Sequence, residues 1–139
     1  MTTRRTRSSL LVALPLVSAG LLLTGCGDFP RSNPSPSAAK DSARSVVDTY
    51  VSSFNADGVG EAVRRTFCAA DVDRYSSGES GPEVVAGSLT LSEVHVKNKT
   101  ADAQIAGATR VGTTDRFTLT MRDDKSQGWC ITGVKNADS

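Results

Sequence analysis

Histidine occurs once in this chain of 139 residues, and aromatic residues make up only 5% of it. With His95 alone, zinc coordination by two or three imidazoles is excluded. No Gly-rich phosphate loop, no Gly-x-Ser-x-Gly elbow and no His-Glu-x-x-His pair occurs, so the short signatures of nucleotide binding, serine hydrolysis and zinc proteolysis are missing. Asp71-x-Asp73 lacks the Gly and the distal Glu of a calcium loop. No Cys-x-x-Cys spacing is present, which removes the usual redox-active dithiol. Nor is there an excess of one charge. The 16 Lys+Arg and 15 Asp+Glu leave a net +1 with His neutral, which gives no basic footprint for nucleic acid. What remains, 38% hydrophobic and 22% charged residues, suits a globular domain rather than a disordered chain.

Those whole-chain values average two different objects. Arg4, Arg5 and Arg7 are the only charged residues before position 26, and without them 13 basic face 15 acidic residues, a net charge of −2. The three arginines form a positive n-region. Residues 10–23 follow as an apolar run broken only by Pro15, Ser18 and Gly20. As a helix this run would span about 21 Å, short of the roughly 30 Å hydrocarbon core. It therefore reads as a secretory h-region rather than a permanent membrane span. Thr3-Arg4-Arg5-Thr6 admits twin-arginine export. However, Arg7 stands where an apolar residue is typical of that route, and ordinary Sec export fits better.

The run ends in Leu23-Thr24-Gly25-Cys26, which resembles the lipobox of bacterial lipoproteins: Leu at −3, two small residues, then Cys. The resemblance implies that the Cys26 sulfur receives a diacylglycerol, that the signal peptide of residues 1–25 is cut away, and that Cys26 becomes the mature N-terminus. Small Thr24 and Gly25 leave the cleavage site open, and only a thiol gives the thioether. Two or three acyl chains anchor stably where one binds marginally, placing the domain on the extracytoplasmic side of a cell membrane. The competing reading is a plain signal peptide with an incidental cysteine.

Residues 27–39 carry three prolines, three serines and one aromatic residue. They cannot bury a core and read as a tether, reaching roughly 20 Å as a coil and 40 Å as polyproline II. Residues 40–139 then form one domain. Ala43, Val46, Val47, Tyr50, Val51 and Phe54 make a continuous helical stripe, stopped at 55–58. A shorter helix is expected over 59–68 on Ala62, Val63 and Phe67, and residues 71–75 suit a helical turn. From residue 83 the period becomes two. Leu89 and Leu91 give way to Val94 and Val96, and this change from odd to even positions implies a β-bulge near Ser92-Glu93. Lys97-Asn98-Lys99-Thr100 is a polar turn. A second strand is expected over 101–111, a third over 116–122, and a last over 129–134. Helices first and strands afterwards predict an α+β domain, with the helices packed on one face of a curved four-stranded antiparallel meander.

Assigning Cys26 to lipid leaves Cys68 and Cys130, which outside the membrane are expected to form a disulfide closing a loop of about 63 residues. Two separate buried thiols are the alternative. Helix, helix, then a long meander, with Phe67-Cys68 at the helix end and Trp129-Cys130-Ile131 in the last strand, resembles the cystatin-like, nuclear transport factor 2-like cone. More narrowly, it resembles that domain as carried by small actinobacterial lipoproteins. The resemblance implies a pocket, with Tyr50, Phe54, Phe117 and Trp129 as candidate lining residues.

Some members of that fold are isomerases or dehydratases using a Tyr and one or two acids, which directs attention to Tyr50, Asp102 and Asp115. By alternation Asp102 faces solvent. Asp115 has the inward parity of Phe117 but sits at an expected turn beside Thr113-Thr114, and Tyr50 reads as a core aromatic with its hydroxyl at the rim. His95, between inward Val94 and Val96, faces outward. The expectation is a non-enzymatic envelope lipoprotein with no cofactor or metal, binding an envelope partner protein or a small apolar ligand. The alternative is an isomerase- or dehydratase-like enzyme using the cone pocket.

Overall fold

The computed structural model describes residues 35–77 and 82–137. The expected signal peptide, the lipobox with Cys26, and residues 26–34 of the expected tether lie outside them. Three helices, α1 (Pro36–Asp57), α2 (Val59–Thr66) and α3 (Val72–Tyr75), precede four strands. These are β1 (Thr90–Lys97), β2 (Thr100–Ala108), β3 (Thr114–Asp124) and β4 (Gly128–Asn136). The strands pair in chain order in one antiparallel sheet, so the domain is α+β with helices first, as expected. Among the described residues no helix is long and apolar enough to cross a membrane.

Helix α1 begins four residues before the expected domain boundary at 40. Ser35 caps it, its Oγ accepting from the Ala38 N–H at 3.3 Å, and Pro36 occupies the first turn. Proline's fixed φ and missing N–H suit that position, so residues that read as tether by composition open the helix. Its far end is set by Gly58 at φ +87, whose N–H donates to the Phe54 carbonyl at 3.0 Å. That conformation favours glycine. Ala39, Ala43, Val47, Tyr50 and Phe54 form the buried stripe, which lies across the sheet against β1 and β4.

In the β1–β2 ladder Leu91 pairs with Ile105 and Glu93 with Gln104, leaving Ser92 as the extra residue. This is the bulge that the shift from Leu91 to Val94 implied. A second bulge is new. Thr120 pairs with Gly133 and Met121 with Ile131, so Thr132 is unopposed on β4. β2 ends at Ala108 rather than at 111, because the chain turns back on itself: the Thr109 N–H donates to the Thr113 carbonyl at 2.8 Å, and the two threonine hydroxyls meet at 2.7 Å.

Inner-face positions of the strands, among them Ala103, Ile105, Leu119 and Ile131, together with Leu89 just before β1, interlock with the α1 stripe and with Val63 of α2 in one core. Two long-range fasteners close it. Phe67 bridges Ile131 in parallel sense and the Cys68 N–H donates to the Ile131 carbonyl at 2.9 Å. Beside this bridge Cys68 and Cys130 form a disulfide, Cα–Cα 4.9 Å, as expected. At the other side the Asn55 side chain donates to the Leu89 carbonyl at 2.8 Å and accepts from the Leu89 N–H at 3.0 Å. One amide thereby ties the end of α1 to the entry of β1.

Candidate functional site

The four expected pocket residues are distributed rather than brought together. Tyr50 is fully buried under the sheet, with its ring centroid 6.1 Å from those of Phe54 and Phe67. Its hydroxyl, expected at the rim, is instead in the interior with no hydrogen-bond partner among the described residues. Burial pushes the phenol pKa above its ordinary value. The correction has a simple origin: position 50 is at the middle of a helix that crosses the sheet, and the tip of its side chain reaches the centre of the core. Phe117 is a buried inner-face residue of β3. Phe54 borders a groove at the C-terminal end of α1, whereas Trp129 borders two grooves beside the β3–β4 turn, one along the first half of α1 and one between the middle of α1 and the end of α2. Tyr50 and Phe117 line none of the three.

The titratable candidates are equally scattered. Asp102 is exposed on the outer face of β2, opposite His95 in the ladder. His95 is exposed as well, its Nε2 3.0 Å from a carboxylate oxygen of Glu93. Asp115 is exposed at the second position of β3 and borders the groove that Phe54 also lines. Tyr50 and Asp115 share no cavity among those described. Among the described residues no three His, Cys, Asp or Glu side chains gather as a metal site. The Glu61 carboxyl is held below its usual range by hydrogen bonds from Arg64 and then Arg65, a cluster on the exposed face of α2.

The groove at the C-terminal end of α1 is the best-built candidate. Its floor comes from Phe54, Val59 and Val84, and its far wall from the loop between β2 and β3, with Val111 at the tip. Arg110 and Asp115 supply polar groups at the margin, and the cavity measures about 580 Å³, within the range of small-ligand sites. The 82–86 strap forming one side is fixed by the Val85 N–H, which donates to the Ala108 carbonyl at 2.7 Å. That close approach requires Gly107, because a Cβ there would meet Val84 at 2.8 Å. Val111, on the otherwise polar loop between β2 and β3, is 86% exposed. Val84, Val59 and Val111 went unnoticed in the sequence. The available signal was Val111 itself, an apolar residue between Arg110 and Gly112 that was absorbed into an over-long second strand.

The fold and groove thus define a small α+β domain with a filled interior and an apolar groove at one end. No protein-family model and no curated protein matches the chain.

Proposed function

We propose that this protein is a bacterial envelope lipoprotein, held at the membrane by acyl chains on Cys26. Its single domain has the cystatin-like, nuclear transport factor 2-like architecture and acts as a non-enzymatic module, binding a partner protein or a small apolar ligand at the groove between Phe54, Val84 and Val111. The observation that carries the binding reading is the groove with its exposed Val111, since solvent-facing apolar surface beside a shaped cavity marks interaction sites. The order of elements and the two bulges that bend the long strands support the fold assignment. The lipobox, the charged n-region and the apolar run support the anchor.

The test is mass spectrometry on protein solubilised from its own membrane, under denaturing and then native conditions. Denaturing masses are expected to show a chain beginning at Cys26 with acyl groups attached, and Cys26→Ser to lose both processing and acylation. Native spectra are expected to retain a bound small molecule or protein in the wild type and to lose it in Val111→Asp, a change at a position exposed enough to leave folding intact. A bound species unaffected by Val111→Asp, or none at all, would overturn the groove as the binding site.

A further inference from the structure

Four of the five lysines lie at one end of the domain, the end opposite the groove. Lys97 and Lys99 flank the β1–β2 turn, and Lys125 sits in the β3–β4 turn. The two turns are neighbours, because the Asp123 N–H donates to the Lys99 carbonyl at 2.8 Å. Lys40 belongs to the first turns of α1, which share a groove with Asp123, Gln127 and Trp129 beside the β3–β4 turn. All four are exposed, and none makes an ion pair among the described residues. The carboxylates of this end are Asp41, Asp123 and Asp124. The last is engaged by Ser126 and by Arg122 at 3.8 Å; Asp41 and Asp123 offset two of the four lysines, which leaves this end a net +2, with exposed Asp102 two residues past Thr100 along β2. Trp129, the sole tryptophan, is half-buried in the same groove.

The chain emerges from this end at Ser35, nine residues after Cys26. That length reaches about 17 Å as a coil and about 28 Å as polyproline II. We propose that this end of the domain docks on the anionic phospholipid surface of the membrane to which Cys26 is anchored, with Lys40, Lys97, Lys99 and Lys125 facing the headgroups and Trp129 at their margin. The inference rests on the anchored reading. Each lysine near an anionic surface strengthens attachment by about fivefold, a contribution too weak for free association. Here the tether keeps the domain at high effective concentration above the bilayer. Docking by this end turns the groove, about 26 Å away along β2, toward the envelope space.

The experiment uses the full acylated chain reconstituted in vesicles of phosphatidylglycerol or of phosphatidylcholine, each doped with a headgroup nitroxide that quenches Trp129 fluorescence. Strong quenching is expected on phosphatidylglycerol and weak quenching on phosphatidylcholine. Raising salt from about 0.1 M to about 1 M shortens the screening length from about 10 Å to about 3 Å and is expected to abolish the difference. Replacing Lys97, Lys99 and Lys125 by Gln lowers the docked-to-undocked ratio about a hundredfold, whereas replacing them by Arg preserves it. Equal quenching on both lipids, or full quenching of the Gln variant, overturns the proposal. The anchor is read separately from the acyl mass on Cys26. If that mass is missing, the anchor falls alone, and the same lipid-dependent quenching with the chain coupled through its Cys26 thiol to a maleimide lipid in each vesicle decides whether the lysine face docks.

Discussion

Removing a polar atom is expected to strengthen this protein. Tyr50 is fully buried and its hydroxyl has no hydrogen-bond partner among the described residues, so folding strips water from the group and returns nothing. An unpaired buried hydroxyl costs about 1–3 kcal/mol. Tyr50→Phe keeps the ring and its contacts with Phe54 and Phe67 while deleting one oxygen. The gap left, about 10 Å³, costs about 0.3 kcal/mol if nothing relaxes into it. The net gain is about 1–2 kcal/mol, or roughly 5–15 °C in Tm for a domain of this size. A second signature lies in alkali. The phenol pKa is raised by burial from its reference value of 10.0, so above pH 10 the unfolded chain releases this proton while the folded chain retains it. Stability therefore falls as pH rises beyond 10, by up to about 1.4 kcal/mol per pH unit from this group, and Tyr50→Phe removes that component. Urea unfolding of both proteins at pH 7 and near pH 11 reads both effects. A Phe variant less stable by about 1 kcal/mol at pH 7 would refute the reasoning, because it would mean that the hydroxyl is hydrogen-bonded in the folded protein.

Reduction of the Cys68–Cys130 bridge releases a loop of about 63 residues and is expected to lower stability by about 4 kcal/mol in the chain-entropy account, with a steeper urea dependence as the unfolded chain expands. Matched urea curves with and without a reducing thiol check this, and coincident midpoints would contradict it. Gly107→Ala places a methyl group 2.8 Å from Val84 and is expected to cost about 1–3 kcal/mol through overpacking. Hydrogen exchange should then rise first at the Val85 amide, which the 82–86 strap holds against Ala108.

Much of the fold was legible because the signals were local. The spacing of Ala43, Val47, Tyr50 and Phe54 reports which face of a helix is buried, and the move from Leu91 to Val94 reports an inserted residue at Ser92. The same odd-to-even move from Ile131 to Val134 marks the second bulge at Thr132, a readable signal that was passed over. The start of α1 was misread for a different reason. Ser35 and Pro36 have linker composition, yet they are equally the residues that cap and open a helix, and only the following turn decides between the roles. The expected pocket was the least legible feature. Periodicity says which face a side chain occupies and is silent about which end of the domain its element places there. Phe54 and Trp129 both lie at the edge of the core, but Phe54 stands near the C-terminal end of α1 and Trp129, on β4, beside its first half, so a helix about 33 Å long separates their grooves.

That separation bears on how the two proposals fit together. A ligand held between the sheet and α1 would need the space that Tyr50, Leu89, Ile105, Leu119 and Ile131 occupy, so access to the interior would mean unpacking the centre of the core. Surface grooves require no such opening. The groove bordered by Val84 and Val111 is framed by elements fixed at several points, namely Asn55 on Leu89, Val85 on Ala108 and the Thr109–Thr113 closure. A site whose walls are already in place loses little order on binding, and its affinity is spared that cost. The lysine-bearing end has the opposite design: long, flexible, unpaired cations on two turns, suited to a surface of diffuse negative charge rather than to a shaped partner. On the anchored reading, the tether fixes which of these ends meets the bilayer. The groove then points to whatever crosses the envelope space, and the lysines govern how firmly it is held in that direction.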